Sequence, residues 1–361
     1  MPHFFVNPDI ALAETISTEV YKSVRFFEMA KEKLFACNWQ FAGDATDLEK
    51  INSCHPLTLL PGYLDEPLLL TKDANENIHC LSNVCTHRGN LLVTENCVNT
   101  NLRCKYHGRL FNLDGKFRSM PEFKEVKNFP SADDDLASLP LFSWGSLLFT
   151  NLKQKYEALV FFGDMMNRLS WLPLKEFKYR KDLSKDYHVN ANWALYCENY
   201  LEGFHIPFVH EGLNAAIDFT DYTTELFYPF SSLQLGISKT GKDCFEIPGA
   251  SPDHGKNIAA YYFWVFPNMM FNFYPWGLSV NIVEPIEVDK TRIRFLSFVW
   301  KEDLLSTGAG SNLDKVEKED EEIVETVQKG IQSRFYKHGR YSVTREKGTH
   351  HFHELLAKFL E

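Results

Sequence analysis

The amino-acid sequence predicts an α+β protein in which a small all-β domain is followed by a larger domain that combines helices with an antiparallel sheet. Three observations support this prediction. Between about residues 39 and 152, short strand-like runs alternate with turn residues. After residue 151 the sequence shows both helical periodicity and long aromatic strands. The chain has 361 residues, 44% of them hydrophobic, which is enough apolar material for two cores.

An N-terminal helix is predicted over about residues 18–35, because apolar side chains recur there at steps of three and four residues. These side chains are Val20, Val24, Phe27, Ala30 and Leu34. We expect residues 1–37 to form a helical segment that packs on the larger domain, residues 38–153 to form the β domain, and residues 154–361 to form the larger domain.

Turn residues and periodicity place the remaining elements. Within the β domain, Asp114–Gly115 lies between two apolar runs and predicts a hairpin. In the larger domain the patterns predict a helix over about Leu195–His205, aromatic strands over Ala259–Val283, a strand at Ile293–Trp300, and a charged helix from about Asn312 to Phe335.

Charge and hydropathy exclude several classes of function. The net charge is −10, from 38 basic and 48 acidic residues without a basic run, so we expect neither nucleic acid nor a membrane as partner. No segment approaches the roughly 20 uninterrupted apolar residues of a membrane helix. Residues Met1–Phe5 contain no basic stretch before a long apolar run, so we expect a cytoplasmic protein.

Two of the eight cysteines lie beside histidines in a pattern typical of a metal site. Cys85 and His87 form C-x-H, and after sixteen intervening residues Cys104 and His107 form C-x2-H. Two thiolates on one iron and two imidazoles on the other make a Rieske two-iron cluster. A zinc site is the alternative, but its usual spacing pairs cysteine with cysteine and histidine with histidine. The pattern therefore favours a Rieske [2Fe-2S] cluster.

The residues around these four ligands resemble a known family. C-T-H-R-G followed by C-x-Y-H-G is similar to the Rieske domain of the ring-hydroxylating oxygenase large subunits. Respiratory Rieske proteins carry a further cysteine in each loop, joined as a disulfide, where this chain has Asn90 and Arg109 after Gly89 and Gly108. The resemblance thus favours the lower-potential oxygenase type, in which the glycines shape tight loops around the sulfurs.

A second constellation follows in the larger domain. Glu202, His205 and His210 form E-x2-H-x4-H, and on a helix Glu202 and His205 would share one face. Pro207 should break that helix, which would allow the two histidines to converge. Two histidines and one carboxylate form the facial triad of non-haem Fe(II) oxygenases.

The third ligand is predicted on the charged helix. Asp320 falls on an apolar stripe expected to face inward, formed by Val316, Ile323, Val327 and Ile331. A carboxylate on a buried face requires a cation or hydrogen-bond donors. The neighbouring acidic residues are interpreted as a solvated surface: Glu319, Glu321, Glu322 and Glu325.

The same oxygenase family carries similar motifs in its catalytic domain, so the resemblance extends from about Phe35 to the end of the chain. It implies a catalytic domain of helix-grip, START-like fold, with His205, His210 and Asp320 as ligands of a mononuclear iron. It also implies that an acid at the position of Glu202 bridges to a Rieske histidine of a neighbouring subunit. Many aromatic-ring dioxygenases have aspartate there, whereas glutamate resembles the choline and carnitine monooxygenase branch. The alternative for Glu202 is an ordinary surface glutamate.

The segment Tyr261–Trp276 is unusually aromatic and suggests a pocket wall, for which Phe263, Tyr274 and Trp276 are candidates. Buried aromatic residues on strands are equally typical of an ordinary core. Aromatic faces bind quaternary ammonium groups, and the stretch resembles that of the choline monooxygenase branch. We hypothesise a small quaternary amine or betaine as substrate, oxidised at a C–H next to nitrogen; an aromatic substrate of a dioxygenase is the alternative.

The sequence contains neither a plant-ferredoxin cysteine set nor a G-x-G-x-x-G nucleotide loop. The chain is therefore not expected to collect electrons from NAD(P)H by itself, and the resemblance implies a separate flavin/iron-sulfur reductase, with O2 as co-substrate. The resemblance implies a homotrimer in which electrons pass between subunits. Two other interpretations remain open, namely a non-catalytic Rieske electron carrier and a zinc-stabilised binding protein.

Overall fold

The computed structural model describes residues 4–361. Residues 1–3 lie outside the described part, and they belong to the predicted N-terminal segment and to the stretch Met1–Phe5. Two compact units are present. Residues 36–155 form one, and residues 4–35 together with residues 156–361 form the other. None of the helices in residues 4–361 combines the length and the apolar character that a membrane span requires.

The unit of residues 36–155 is built from short antiparallel strands. They are β1 (Gln40–Asp44), β2 (Ser53–Leu59), β3 (Glu66–Lys72), β4 (Ile78–Ser82), β5 (Cys97–Val98), β6 (Leu102–Arg103), β7 (Leu110–Phe111), β8 (Phe117–Ser119), β9 (Ser138–Leu139), β10 (Leu141–Trp144) and β11 (Leu147–Thr150). They form three sheets of order β1-β11-β10, β5-β2-β3-β4-β9 and β6-β7-β8. This confirms the predicted all-β character.

The apolar core of this unit lies directly beneath two loops that carry cysteine and histidine. Cys85 and Cys104 are buried in one cluster with Phe111 and several leucines. β7 and β8 pair across the turn at Asp114–Gly115, so the predicted hairpin is confirmed. Gly115 has φ +84°, a backbone conformation that glycine adopts without strain.

The larger unit combines helices with one long sheet. Its helices are α1 (Glu19–Lys22), α2 (Val24–Ala30), α3 (Leu159–Arg168), α4 (Trp193–Tyr200), α5 (Ile206–Val209), α6 (Glu211–Ala216), α7 (Leu313–Gly330) and α8 (Lys347–Leu360). Its strands are β12 (Lys178–Tyr179), β13 (Lys185–Val189), β14 (Thr223–Phe227), β15 (Ser231–Ile237), β16 (Ile258–Val265), β17 (Met269–Tyr274), β18 (Gly277–Glu287) and β19 (Lys290–Val299).

These strands form one antiparallel sheet of order β12-β19-β18-β17-β16-β15-β14, with β13 also paired to β19. The predicted aromatic strands correspond to β16, β17 and part of β18, and the predicted strand that follows is β19. The predicted α+β fold class is therefore confirmed. α4 contacts α7, α8 and β18, which holds the chain that follows α4 close to α7.

The predicted N-terminal helix is divided into three pieces. Ser23 has extended backbone angles (φ −87°, ψ 118°) and separates α1 from α2, and Lys31–Phe35 forms a π-helical turn after α2. The break changes the helical register, so Val24 is 62% exposed, although its spacing predicted burial. Spacing alone could not reveal this, because the predicted register assumes an unbroken helix.

The charged helix is shorter than predicted, and its buried face differs from the predicted one. α7 ends at Gly330 rather than near Phe335. The prediction of an inward apolar stripe was wrong for Val327, which is 42% exposed, and only Ile331 of that stripe is fully buried. The buried residues within α7 are Glu317, Val324 and Gln328. Two of these are polar, so hydrophobicity could not identify the buried face.

Candidate functional site

Two loops of the β unit have the same backbone geometry. In each, a glycine N–H donates to the carbonyl of the cysteine four residues earlier, at 3.1 Å for Gly89 and 3.0 Å for Gly108. The cysteine N–H in turn donates to the carbonyl of the residue after the glycine, at 2.9 and 2.8 Å. The glycines have φ of +72° and +75°, which explains why both loops require glycine.

These loops bring the four predicted cluster ligands to the same end of the β unit. Cys85 and Cys104 are buried, whereas His87 and His107 are half-buried, with ring centroids 4.8 Å apart. The Nδ1 atom of His107 is buried and has no hydrogen-bond partner among the described residues. A buried imidazole nitrogen without a donor or acceptor is well suited to bind a metal. The donor set therefore fits a two-iron cluster with its thiolates inside and its imidazoles outside.

Backbone N–H groups also point toward the sulfurs. Burial raises the pKa of the Cys85 thiol, and the N–H of His87 partly opposes this effect. Burial would also raise the pKa of Cys104, but hydrogen bonds from the N–H groups of Tyr106 and His107 and from Cys85 lower it overall. Such donors stabilise the thiolate form, which is the form that binds iron.

Arg109 supports the second loop from inside the protein. Its guanidinium is 2% exposed, donates to Oδ1 of Asp134 at 2.6 Å and lies 4.9 Å from the ring centroid of Phe117. The sequence drew attention to Arg109 only because it follows Gly108. The structure shows that it is the buried half of an ion pair beneath the loop.

The larger unit brings the predicted iron ligands together. The Nε2 atoms of His205 and His210 lie 3.2 Å apart. Asp320 Oδ1 lies 3.0 Å from Nε2 of His210 and 3.6 Å from Nε2 of His205. Two neutral imidazole nitrogens at this distance direct lone pairs at each other, and a cation beside a carboxylate relieves that conflict. The donor set therefore fits a divalent ion with open coordination positions.

Carboxylates hold the outer nitrogens of both rings. Nδ1 of His205 lies 2.7 Å from Oε1 of Glu202, and Nδ1 of His210 lies 2.8 Å from Oε2 of Glu319. With Nδ1–H donating to a carboxylate, Nε2 keeps its lone pair for a metal. Asn199 donates to Oδ1 of Asp320 at 2.6 Å. The interpretation of Glu319 as a solvated surface residue was wrong, and Asn199 was missed altogether.

Glu202 reaches His205 by a route that the sequence did not predict. α4 ends at Tyr200, so the expectation that Glu202 and His205 share a face of one helix was wrong. Instead, the Glu202 carboxylate accepts hydrogen bonds from the backbone N–H groups of Phe204 and His205 and from the His205 ring. A turn before α5 therefore brings the two residues together.

Pro207 has a different role from the predicted one. It lies in the first turn of α5, where a helix does not need the N–H that proline lacks. The helical conformation is interrupted at His210 (φ −110°, ψ 79°), between α5 and α6. This interruption lets the His210 ring face His205 across a five-residue step.

The pKa of His210 reflects its acidic partners. Burial lowers this pKa, but Asp320 and Glu319 raise it by more, so its direction is upward. Protons and a metal ion therefore compete for the ring, and a bound divalent cation favours the neutral form.

A cavity that is partly open to solvent adjoins the three candidate ligands. Five tyrosines contribute to its wall: Tyr196, Tyr200, Tyr222, Tyr262 and Tyr274. Burial raises the pKa of all five phenols, so they remain neutral. Tyr262 and Tyr274 meet edge to face at 6.0 Å, and Tyr200 donates to Oδ1 of Asn272 at 2.8 Å. The wall is therefore aromatic and fixed by hydrogen bonds.

The three predicted pocket residues occupy different places. Tyr274 lines the cavity. Trp276 stacks on Tyr274 at 5.4 Å and lies in the apolar cluster around the cavity. Phe263 packs within the sheet against Phe227 and Phe273. The tyrosines Tyr200 and Tyr222 were missed, because neither lies in the aromatic segment that the sequence highlights.

Comparison with known protein families gives two matches. Residues 176–361 match the model of the ring hydroxylating alpha subunit (catalytic domain), and residues 38–130 match the Rieske [2Fe-2S] domain. The chain belongs to the ring-hydroxylating oxygenase alpha-subunit family. This Rieske oxygenase is thus an oxidoreductase that uses a [2Fe-2S] cluster and a mononuclear iron and works with a separate reductase and O2.

Two relatives match the Rieske oxygenase over nearly its full length. Choline monooxygenase, chloroplastic, of Arabidopsis thaliana is 30% identical over an alignment that covers 97% of this chain and 84% of the relative. The carnitine monooxygenase oxygenase subunit of Escherichia coli (strain K12) is 27% identical, covering 99% and 96%.

Solved structures share the fold. A quaternary ammonium Rieske monooxygenase, in complex with an inhibitor, superimposes with a TM-score of 0.78 at 22% identity, covering 98% of this chain and 97% of the other. Naphthalene 1,2-dioxygenase with bound indole gives a TM-score of 0.71 at 16% identity, covering 98% and 95%. The architecture is therefore shared by oxygenases of amines and of aromatic rings.

Proposed function

We propose that this Rieske oxygenase oxidises a small quaternary amine or betaine at a C–H next to nitrogen. The observation that carries the proposal is the tyrosine-lined cavity beside His205, His210 and Asp320. A desolvated aromatic ring attracts a quaternary ammonium group by roughly 0.5–2 kcal/mol. The two relatives named for choline and carnitine support the same class of substrate.

In this proposal Cys85, His87, Cys104 and His107 hold the Rieske cluster. His205, His210 and Asp320 hold the mononuclear iron, which supplies O2 activation when bound. We assign residues 38–153 to the Rieske domain and residues 154–361 to the catalytic domain, with residues 1–37 packing on the latter.

The outer carboxylates and the cavity wall have separate roles. Glu202 accepts the Nδ1 proton of His205 and so fixes the ring, and we propose that it also contacts a Rieske histidine of a neighbouring subunit in a homotrimer. Glu319 fixes the His210 ring in the same way. The tyrosines exclude water and hold the methylated nitrogen.

The overall reaction balances with two external electrons. One oxygen atom of O2 enters the C–H bond to give C–OH, and the other leaves as water after taking two electrons and two protons. A hydroxylated N-methyl carbon then collapses to a demethylated amine, an aldehyde and a proton. Electrons come from a separate flavin/iron-sulfur reductase, and we place the protein in the cytoplasm.

The test is to purify the chain anaerobically and measure its metal content and ligand binding. We expect about three irons per chain, of which two belong to the cluster and one to the mononuclear site. Titration with trimethylammonium compounds should give saturable binding, and turnover with a reductase should release an oxidised amine product. Tight binding of an aromatic acid, with no affinity for any trimethylammonium compound, would instead support the aromatic-ring dioxygenase alternative.

A further inference from the structure

Glu317 is a buried acidic residue in the wall of the cavity. It lies on α7, its residue exposure is 2%, and it lines the same cavity as Tyr200 and Tyr262. Its Oε2 accepts a hydrogen bond of 2.5 Å from the hydroxyl of Tyr196. Its Oε1 is buried and has no hydrogen-bond partner among residues 4–361. Since a buried, unpartnered carboxylate oxygen is costly, a ligand that pairs with it gains affinity.

The other acidic residues of the cavity already have partners. Glu202 contacts His205, and Asp320 contacts His210 and Asn199. Among the described residues that line the cavity there is no lysine or arginine. The metal held by His205, His210 and Asp320 would therefore be the cation of the cavity, and no charged side chain among its described lining residues can pair with a carboxylate of the substrate.

Glu317 also lies on the same helix as Asp320, one of the three candidate metal ligands. It precedes Asp320 by three residues on α7, so both side chains lie on the same face of the helix. Three residues of helix correspond to about 4.5 Å along the axis. If Glu317 holds the ammonium nitrogen of a substrate, the substrate carbon atoms bonded to that nitrogen would lie beside the site formed by His205, His210 and Asp320.

We propose that Glu317 binds the cationic end of the substrate and makes this Rieske oxygenase selective for ammonium compounds that lack a carboxylate. This inference rests on the proposed function and narrows it. A zwitterionic betaine would have to bury its carboxylate among Glu202, Glu317 and Asp320, and like charges in such a site repel. A cationic amino alcohol brings no carboxylate into the cavity and can pair its positive charge with Glu317.

The experiment is calorimetric titration of the iron-loaded, anaerobic protein with three ligands of similar shape: choline, its neutral carbon analogue 3,3-dimethylbutan-1-ol, and trimethylglycine. The wild-type protein should bind choline about tenfold or more tightly than either of the others, since the attraction between two opposite charges a few ångströms apart and shielded from water contributes about 1.4 kcal/mol or more. Glu317→Gln retains the shape of the side chain and an acceptor for Tyr196. It should lose the preference for choline while binding of the neutral analogue changes little.

The matched control is Glu322→Gln, which removes the same charge from an exposed position on the same helix and should leave all three affinities unchanged. Equal binding of choline and trimethylglycine, or an unchanged preference in Glu317→Gln, overturns the role of Glu317 but leaves the proposed function in place. If none of the trimethylammonium compounds binds the wild-type protein, both the proposed function and this inference are overturned.

Discussion

At the scale of single residues, carboxylates control the candidate iron site from its periphery. Glu202 and Glu319 each accept a hydrogen bond from the outer nitrogen of one histidine, at 2.7 and 2.8 Å. Both distances are short, as expected when an ionised oxygen is the acceptor. These residues orient the histidine ligands without facing the metal position. We therefore expect substitution of Glu202 to affect turnover and substitution of Glu319 to affect iron binding.

For Glu202, we predict that Glu202→Gln retains both metal centres but lowers turnover by about 10–100-fold, because an amide is a weaker acceptor for His205 and a weaker link to a neighbouring subunit. Iron analysis, the electron-spin signal of the cluster and steady-state rates provide the measurement. Glu211→Gln, at an exposed position on α6, is the control. If the Glu202→Gln protein turned over at the native rate, Glu202 would only stabilise the turn before α5 and would have no part in electron transfer.

For Glu319, we predict that Glu319→Gln weakens binding of the mononuclear iron by about 10–100-fold, because the Nδ1–H of His210 loses its charged acceptor. Competition with a chelator, followed by iron counting, measures this loss, and the cluster should remain intact. Glu322→Gln on the exposed face of α7 should behave like the wild type. An unchanged iron affinity in Glu319→Gln would contradict the assignment.

Glu317 gives a prediction about pH. Burial raises its pKa well above the usual value of 4.5, so the folded, ligand-free protein favours the protonated form, whereas a cation bound beside the side chain favours the ionised form. A carboxyl group with a raised pKa contributes its full stability below the unfolded pKa, and that contribution is lost as pH rises toward the folded pKa. The Glu317→Gln protein lacks this titrating group and does not lose that stability. The melting temperature of the variant minus that of the wild type should therefore increase from pH 5 to pH 8. A difference that is constant or falls over this range would exclude the predicted proton uptake.

At the scale of elements, loops and helix ends position the functional groups. The two glycine-containing loops have matching hydrogen bonds, and a turn between α4 and α5 joins Glu202 to His205. The spacing of cysteine, histidine and glycine allowed the loops to be predicted, because each motif is local. The turn could not be predicted in the same way, since an amphipathic pattern does not mark where α4 ends.

The second loop depends on the ion pair of Arg109 and Asp134, which gives a prediction for the β unit. Arg109→Met should destabilise this unit by about 1.5–3 kcal/mol, because the buried guanidinium no longer donates to the carboxylate of Asp134. Denaturant unfolding followed by the visible absorbance of the cluster measures the change. Arg118→Met, at an exposed position on β8, should cost far less. Equal losses of unfolding free energy in the two variants would show that the ion pair of Arg109 and Asp134 stabilises the unit no more than an exposed arginine does.

At the scale of the whole molecule, the proposed trimer passes electrons from the cluster of one subunit to the iron of its neighbour. Cys85→Ala should lack the cluster, and Asp320→Ala should lack the mononuclear iron while remaining red-brown. Each variant alone should be inactive. We predict that co-expression of the two restores activity, because a mixed trimer contains neighbouring pairs with one intact cluster and one intact iron site.

The measurement is turnover of co-purified mixed oligomers carrying two different affinity tags. The control is an oligomer in which all subunits carry the same substitution but different tags, and it should show no activity. If mixed oligomers form but remain inactive, electron transfer takes place within one chain, and the proposed role of Glu202 between subunits is wrong.

The sequence by itself determined the fold class, the family and the two groups of candidate ligands. The Rieske motifs Cys85–Gly89 and Cys104–Gly108 are short, so their chemistry can be identified from spacing alone. His205 and His210 were proposed from their spacing and the family resemblance. Asp320 was proposed from the same resemblance and from an apolar stripe of which only Ile331 is fully buried. The fold class and the family are confirmed, and the structure brings the residues of each proposed ligand group close together.

Only the tertiary structure decided which other residues join the site. Glu319 and Glu317 lie in one acidic run, yet one contacts His210 and the other lines the cavity. Tyr200 and Tyr222 reach the same cavity from separate parts of the chain. The buried face of α7 is partly polar, so hydrophobicity cannot identify it, and contacts between distant segments depend on packing that no local pattern encodes.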